Sequence, residues 1–372
     1  MKVLFCTNAF STVSNGPAKF ARILASTEHL NGSGEIRILT EDCRESSGNV
    51  YHLQLRYPAF LKPFSQFIRM YRYHRAAMRI RESYPFDVLV YNNALVGFLS
   101  LLFFRGTTGM INDYTNATWK EDPFGKSGEK NLKRRVFFLV EKWFCRFSRR
   151  KIMTNSRYLS SVLASEYGVD SSRFMVLHKG IEEKLVAQNR QQLLKHKISD
   201  SILFVKTNYL LAGFPDLAAA VKLLDKKIRL TVIGPAESSH DSIREMFRGS
   251  KVMLDLRAHQ NQDEVFELMK SHHVFCLPSY KEAFGVAVLE ALSCACRVVA
   301  SQTGGIPEAS GNGPWAYLCS PGNPEELAGC LGQALSSSDE VINEKLEEHL
   351  QNFAENKLVN RFFELLESDE SK

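Results

Sequence analysis

Val274-Phe275-Cys276-Leu277-Pro278-Ser279-Tyr280-Lys281-Glu282-Ala283-Phe284-Gly285-Val286-Ala287-Val288-Leu289-Glu290-Ala291-Leu292 passes from an apolar run through a turn into a helical pattern. The spacing predicts a strand that ends at Leu277, a loop, and a helix that starts near Gly285. Amides in the first turn of such a helix have no partners within it, and they sit at the positive end of its dipole. They can therefore hold a phosphate without a cationic side chain. Gly285 has no Cβ, so the backbone can approach a ligand closely. Glu282 falls in the loop and Glu290 about one turn inside the helix. Carboxylates so placed can accept hydrogen bonds from sugar and ribose hydroxyls. The residues alone thus describe a nucleotide-sugar pocket.

The same strand-then-helix rhythm extends outward from this stretch. Ile202-Leu203-Phe204-Val205, Leu230-Thr231-Val232-Ile233, Val252-Met253-Leu254 and Val298-Val299-Ala300 read as further strands of one unit. Upstream, Val3-Leu4-Phe5-Cys6, Ile36-Arg37-Ile38-Leu39, Val88-Leu89-Val90-Tyr91, Gly109-Met110-Ile111, Lys151-Ile152-Met153 and Met175-Val176-Leu177-His178 form a second series. Helical patterns fill most of the gaps, so each series is expected to build a parallel, doubly wound sheet. Ligands of such sheets bind at the carboxyl ends of the strands. A polar stretch separates the two series. The expected division is a first domain over 1–182, a linker over 183–200, a second domain over 201–338 and a helical tail over 339–372 that packs across the junction.

Composition narrows the possibilities without choosing among them. The 372 residues are 44% hydrophobic and 24% charged, as in ordinary globular proteins, and the length favours two domains. A net charge of +6 attracts nucleic acid, anionic membranes and phosphorylated substrates alike. No recognition helix, zinc finger or RNA-binding signature is present, so nucleic acid is not an expected partner. The eight cysteines form no C-x-x-C pair, and they read as buried free thiols. Met1-Lys2-Val3-Leu4-Phe5-Cys6 turns polar too soon for a secretory signal. The apolar run 94–104 is far shorter than the roughly 20 residues a spanning helix needs. A cytoplasmic location is expected, with peripheral attachment at the inner face of a membrane.

Taken whole, the stretch 278–292 resembles the signature of the family 4 glycosyltransferases, in which two glutamates are separated by seven residues within P-S-x-x-E-x-F-G-x-x-x-L-E-A. The resemblance continues through Val298-Val299-Ala300-Ser301-Gln302-Thr303-Gly304-Gly305-Ile306-Pro307-Glu308, through 318–323 and 263–269, and through Val232-Ile233-Gly234-Pro235. In the first half it takes in Thr154-Asn155-Ser156, Tyr167-Gly168-Val169 and Lys179-Gly180-Ile181-Glu182. It implies the GT-B fold, two Rossmann-like domains facing a central cleft, and a retaining transfer from a nucleoside diphosphate sugar to a glycan or lipid-linked acceptor. Glu282 would then serve the donor sugar near the reacting carbon, and Glu290 the ribose. The amides of Phe284, Gly285 and Val286 would hold the diphosphate, with Ala283, Lys206 and Thr207 also on the donor. Ser14-Asn15-Gly16-Pro17-Ala18 corresponds to the family's glycine loop, which places Gly16 beside the donor phosphates. No metal and no cofactor are implied, and no Asp-x-Asp motif is present.

Two departures from the family pattern bear on chemistry. Ile111-Asn112-Asp113-Tyr114 puts Asn112 where many members carry a histidine, so that position can hydrogen-bond a sugar but cannot carry a proton. Ala212 stands where the lysine of a Lys-Gly pair is expected, which leaves Lys206 as the nearby cation and Lys281 or Arg297 as candidates to compensate. A GT-B nucleotide-sugar epimerase and a non-catalytic sugar-nucleotide-binding protein derived from a transferase are the alternatives. Lastly, residues 69–81 and 133–151 carry basic and aromatic side chains at helical spacing, among them Arg69, Tyr71, Arg72, Arg75, Arg134, Arg135, Trp143, Phe147, Arg149 and Arg150. That pattern suits helices lying on an anionic membrane surface, and equally core helices with a solvated basic rim.

Overall fold

A computed structural model describes residues 1–11, 16–26, 34–43, 46, 48–111 and 132–369. They form two compact units, one from 1–179 with 355–369, the other from 180–354. Both are α/β and doubly wound, as the alternating pattern predicts.

In the first unit, β1 (Lys2–Thr7), β2 (Glu35–Thr40), β3 (Val50–His52), β4 (Val88–Tyr91), β5 (Thr107–Ile111), β6 (Ile152–Thr154) and β7 (Phe174–Val176) are all parallel, in the order β3-β2-β1-β4-β5-β6-β7. Central strands of such a sheet are covered on both faces, which is why Val3, Leu4, Phe5 and Val88, Leu89, Val90 form unbroken apolar runs. The helix Gly16–Ala25 lays Phe20 and Leu24 on one face. The same face receives the last helix, Glu355–Ser368, through Leu358, Val359, Phe362 and Phe363. The rings of Phe5, Phe20 and Phe362 meet edge to face at 5.7, 6.3 and 6.1 Å. Each buried ring contributes about 1.5–3 kcal/mol, so the end of the chain is a structural part of the first unit.

On the opposite face, Tyr73 and Ala77 of the helix Ser65–Ser83 pack with Leu4, Leu89 and Tyr91. The helix Ala94–Phe103 lies against it and against a third, Leu132–Phe147.

The second unit has β8 (Ile198–Val205), β9 (Arg229–Ile233), β10 (Met253–Arg257), β11 (His272–Leu277), β12 (Arg297–Ser301) and β13 (Ala316–Cys319), parallel in the order β10-β9-β8-β11-β12-β13. The order reverses at β8 and β11, the two central strands, and their carboxyl ends form the topological switch point where doubly wound sheets bind ligands. Residues 183–194 fold as two short helices that bury Leu185, Val186 and Leu194 in this unit, and the helix Glu344–Gln351 belongs to it too.

Candidate functional site

The carboxyl ends of β8 and β11 are shaped by glycines whose conformation and surroundings admit no side chain. After β8, the amide of Lys206 donates to the carbonyl of Ile233 at 2.9 Å. Gly234, with φ +112°, passes so close that a Cβ there would lie 2.8 Å from the carbonyl carbon of Lys206. The turn from Thr207 ends at Gly213 (φ +71°), where a Cβ would lie 2.0 Å from the carbonyl oxygen of Pro278. The amide of Tyr280 donates to the Leu211 carbonyl at 3.0 Å, so the turn after β8 and the loop after β11 are tied together.

The loop that carries Glu282 is braced from its other side by the segment after β12. Gly305 donates its amide to the Glu282 carbonyl at 3.2 Å. Gly304 has φ +57°, and a Cβ on it would sit 1.6 Å from that same oxygen. Thr303 Oγ1 donates to the Tyr280 carbonyl at 3.3 Å. Burial, with the nearby Asp216 carboxylate adding to it, pushes the Tyr280 phenol up to about 12, so it stays a neutral hydroxyl at ordinary pH.

Held in this way, Glu282 meets Lys206. The Lys206 Nζ donates to Glu282 Oε2 at 2.7 Å, with side chains 32% and 13% exposed respectively. This is a charge-assisted bond across the two central strands, 76 residues apart in sequence. Three residues on, Gly285 is the N-cap of the helix Val286–Ser293, with φ +95° and ψ +50°. An L side chain is strained in that conformation. From a Cβ placed there, Glu282 Cγ would be 3.7 Å away, so the carboxylate stem and the helix N-terminus adjoin. Ala283 and Phe284 are buried, while Val286 is only half-buried. Further along the helix, Glu290 Oε1 accepts a long bond from Gln262 Nε2 at 3.4 Å. Gln262 opens the helix Gln262–Ser271, whose start is fixed by a reciprocal cap between Asn261 and Glu264.

The structure therefore gathers Lys206, Glu282 and Gly285 around one point, with Thr207 exposed on the adjoining turn. It does not bring Arg297 there. Arg297 opens β12 in register with Val274, roughly 10 Å of strand before the end of β11. Its guanidinium is buried on Asp339 at 2.5 Å and Ser337 at 3.1 Å, so it cannot stand in for the missing lysine. Lys281 is itself buried. Ala212 is 1% exposed and packs in the second unit's core. Gly16 opens the first helix of the first unit. Asn112 lies outside the described residues, as do Ser14 and Asn15. Sequence reading missed Gly213, Gly304 and Gly305 as shaping residues and Gln262 as the partner of Glu290. The glycine signals were legible as Ala212-Gly213-Phe214 and Thr303-Gly304-Gly305 at strand ends. Among the described residues, no group of three or more His, Cys, Asp or Glu side chains could hold a metal ion.

The sequence matches Glycosyltransferase Family 4 over residues 23–185 and Glycosyl transferases group 1 over residues 186–357, so the two matches adjoin and span most of the chain. The chain belongs to the family 4 (group 1) glycosyltransferases. Its fold is GT-B. The chain superposes on sucrose-phosphate synthase from Thermosynechococcus elongatus with TM-score 0.75 at 16% identity, covering 100% of both chains. It also superposes on Anabaena Alr3699/HepE in complex with UDP-glucose, with TM-score 0.71 at 16% identity over 99% of this chain and 100% of that one. In sequence it is similar to the MMP alpha-(1->4)-mannosyltransferase of Mycolicibacterium hassiacum, 27% identical over 217 residues, which are 55% of this chain and 51% of that protein. The chain spans about half the length of the curated relatives it matches.

The two basic-aromatic segments are helices of the first unit, each with a buried and an exposed apolar side. Ser65–Ser83 buries Met70, Tyr73 and Ala77, yet leaves Phe67 57% and Tyr71 51% exposed. Leu132–Phe147 buries Val140, Phe144 and Cys145 while exposing Leu139, Trp143 and Phe147. The Arg134 side chain lies outside the described part. Phe103, at the end of the intervening helix, is 69% exposed. No helix among the described residues is long and apolar enough to cross a membrane.

Proposed function

We propose that this chain transfers a glycosyl group, with retention, from a nucleoside diphosphate sugar to a glycan or lipid-linked acceptor in polysaccharide or glycolipid synthesis. The observation that carries the reading is the Lys206–Glu282 bond beside the Gly285 helix N-terminus. One cation and the amides at a helix N-terminus suit a diphosphate, and one carboxylate suits a sugar hydroxyl. The UDP-glucose bound to the Anabaena protein of the same fold supports a nucleotide sugar as the ligand class.

In the reaction, the bond between the anomeric carbon and the leaving phosphate oxygen breaks, and its electron pair stays with the diphosphate. The acceptor oxygen bonds the carbon on the same face, and its proton passes to the leaving phosphate. The chain's contribution is to hold charge and geometry. The amides of Phe284, Gly285 and Val286, with Lys206, meet the charge that grows on the diphosphate, the kind of preorganised stabilisation that is commonly the largest catalytic effect. Glu282 orients the sugar and Glu290 the ribose. Lys206 is shared: it neutralises Glu282, and a bound donor must take over both partners. Chemistry of this type needs no divalent ion, so turnover continues in EDTA.

The exposed aromatics of the three first-unit helices, bordered by arginines, support docking on an anionic membrane from its cytoplasmic face, where a lipid-linked acceptor is presented. Ala212 buried at the expected lysine position, together with the neutralised Lys206, favours a sugar-nucleotide-binding module as the second reading. Donor turnover is the test, measured over UDP-, GDP- and ADP-sugars with and without an acceptor extract. A transferase consumes donor only with acceptor and an epimerase converts it without. A binding module shifts the melting temperature and does neither.

A further inference from the structure

We infer that a cavity of the first unit, lined by Tyr51, His52, Arg72, Arg75, Arg79 and Ile80, binds the phosphate of an anionic lipid headgroup. The cavity measures about 300 Å³, enough for a phosphate ester. It opens between the edge strand β3, which supplies Tyr51 and His52, and the helix Ser65–Ser83.

The three arginines follow one another at positions i, i+3 and i+7, which at about 100° per residue confines them to a helix face roughly 60° wide. Like charges at such spacings repel along a helix. Yet among the described residues none of the three has a carboxylate or any other hydrogen-bonding partner. Arg69 on the same helix behaves otherwise, since it is bonded to Glu41 at 3.0 Å. Tyr51 adds a donor, because its hydroxyl oxygen accepts from Arg37 and its own hydrogen has no acceptor among the described residues. Among the described residues, no acidic side chain lines the cavity. Three exposed arginines without a partner among the described residues, and a phenol, line one small cavity; together they make a site for an oxyanion, and guanidinium geometry favours phosphate.

The neighbouring surface points to a lipid as the source of that phosphate. On the same helix, Tyr71 and Phe67 occupy the strip next to Arg75, and both are exposed. The exposed Phe103 continues that strip, with its ring 5.3 Å from that of His74. A phosphate lodged among the arginines would thus have apolar, solvent-facing rings beside it. A soluble phosphate ester has no use for such a border, whereas a phospholipid places its acyl chains there. The inference rests on the membrane docking proposed above and is independent of the transfer chemistry.

The test measures binding alone, on the full chain. Short-chain dihexanoyl phosphatidic acid serves as soluble headgroup probe, with dihexanoyl phosphatidylcholine and inorganic phosphate as comparisons. Vesicles of phosphatidylcholine with and without phosphatidylglycerol report docking. The parent is expected to bind the phosphatidic acid, and Arg75→Gln/Arg79→Gln to bind it at least tenfold more weakly. Phe67→Ser/Phe103→Ser should bind the soluble probe as the parent does yet fail to co-sediment with anionic vesicles. Equal probe affinity in the parent and the arginine variant overturns the site. Inorganic phosphate binding as tightly as phosphatidic acid, or a parent that ignores anionic vesicles, overturns the lipid as its source. Because no turnover is measured, failure of the transfer reading leaves each of these outcomes readable.

Discussion

Replacing Lys206 by methionine removes the charge and keeps most of the apolar stem. The bond it breaks is short, 2.7 Å, and joins a side chain 32% exposed to one only 13% exposed. Hydrogen bonds to charged groups contribute about 1.5–3 kcal/mol, and the partial exposure of Lys206 places this one toward about 1–2 kcal/mol. The variant also leaves the Glu282 carboxylate without its cation. The catalytic effect should be larger than the effect on stability, because the proposed reaction makes Lys206 the cation for the departing diphosphate. Loss of a preorganised donor costs about 2.7–4 kcal/mol of transition-state stabilisation, or roughly 10²–10³ in kcat. Initial rates at saturating donor should fall by that factor, while urea unfolding shows the modest stability loss. Closing the cycle with Glu282→Gln and the double variant should return a coupling of about 1–2 kcal/mol in stability. A Lys206→Met enzyme within fivefold of the parent in kcat, with coupling below about 0.3 kcal/mol, would refute the reasoning and leave Lys206 as an ordinary surface cation.

Glu290→Gln should raise the donor dissociation constant several-fold with little change in kcat at saturation; unchanged affinity by calorimetry would remove Glu290 from the ribose. Gly304→Ala must displace the Glu282 carbonyl it would overlap, so roughly 2–4 kcal/mol of stability and most activity should be lost, as denaturant midpoints and rates would report. Acid should destabilise the second unit through His272 and His273. Burial lowers both, and the Arg297 guanidinium helps bring His273 to about 4, against about 6.5 in the unfolded chain. The unfolded state therefore takes up protons first. The stability these neutral rings carry is full above about pH 6.5 and declines as pH falls toward 4. Allowing for the partial exposure of His273, about 1–2 kcal/mol should be lost between pH 7 and pH 5. Urea melts that stay flat over that range, or that His273→Asn leaves as steep, would contradict this.

Much of this fold was legible because parallel strands are buried on both faces. Val88-Leu89-Val90-Tyr91 and Val274-Phe275-Cys276-Leu277 show no alternation and can be little else. Two of the four edge strands, Val50-Tyr51-His52 and Ala316-Tyr317-Leu318-Cys319, were missed for the converse reason: they are short and largely half exposed, so no long buried run marks them. Within the site, the helix starting at Gly285 followed from local pattern alone. The partnership of Lys206 with Glu282 did not, because it depends on β8 lying next to β11, an order that sequence does not print. Arg297 misled for the same reason. It is close in sequence to the loop, but a parallel strand begins at the opposite edge of the sheet from where its neighbour ends. Gln262 was invisible because its partner Glu290 comes from a different helix.

Product formation by Glu282→Ala is the most direct measure of the central claim, that sugar transfer occurs at the loop between β11 and the Gly285 helix. The variant should melt close to the parent and still bind the nucleoside diphosphate through the helix amides and Lys206. At saturating donor, and with an acceptor on which the parent is active, it should form no product above background. A folded Glu282→Ala protein that transfers sugar at near-parental rate would place the chemistry elsewhere and contradict the account.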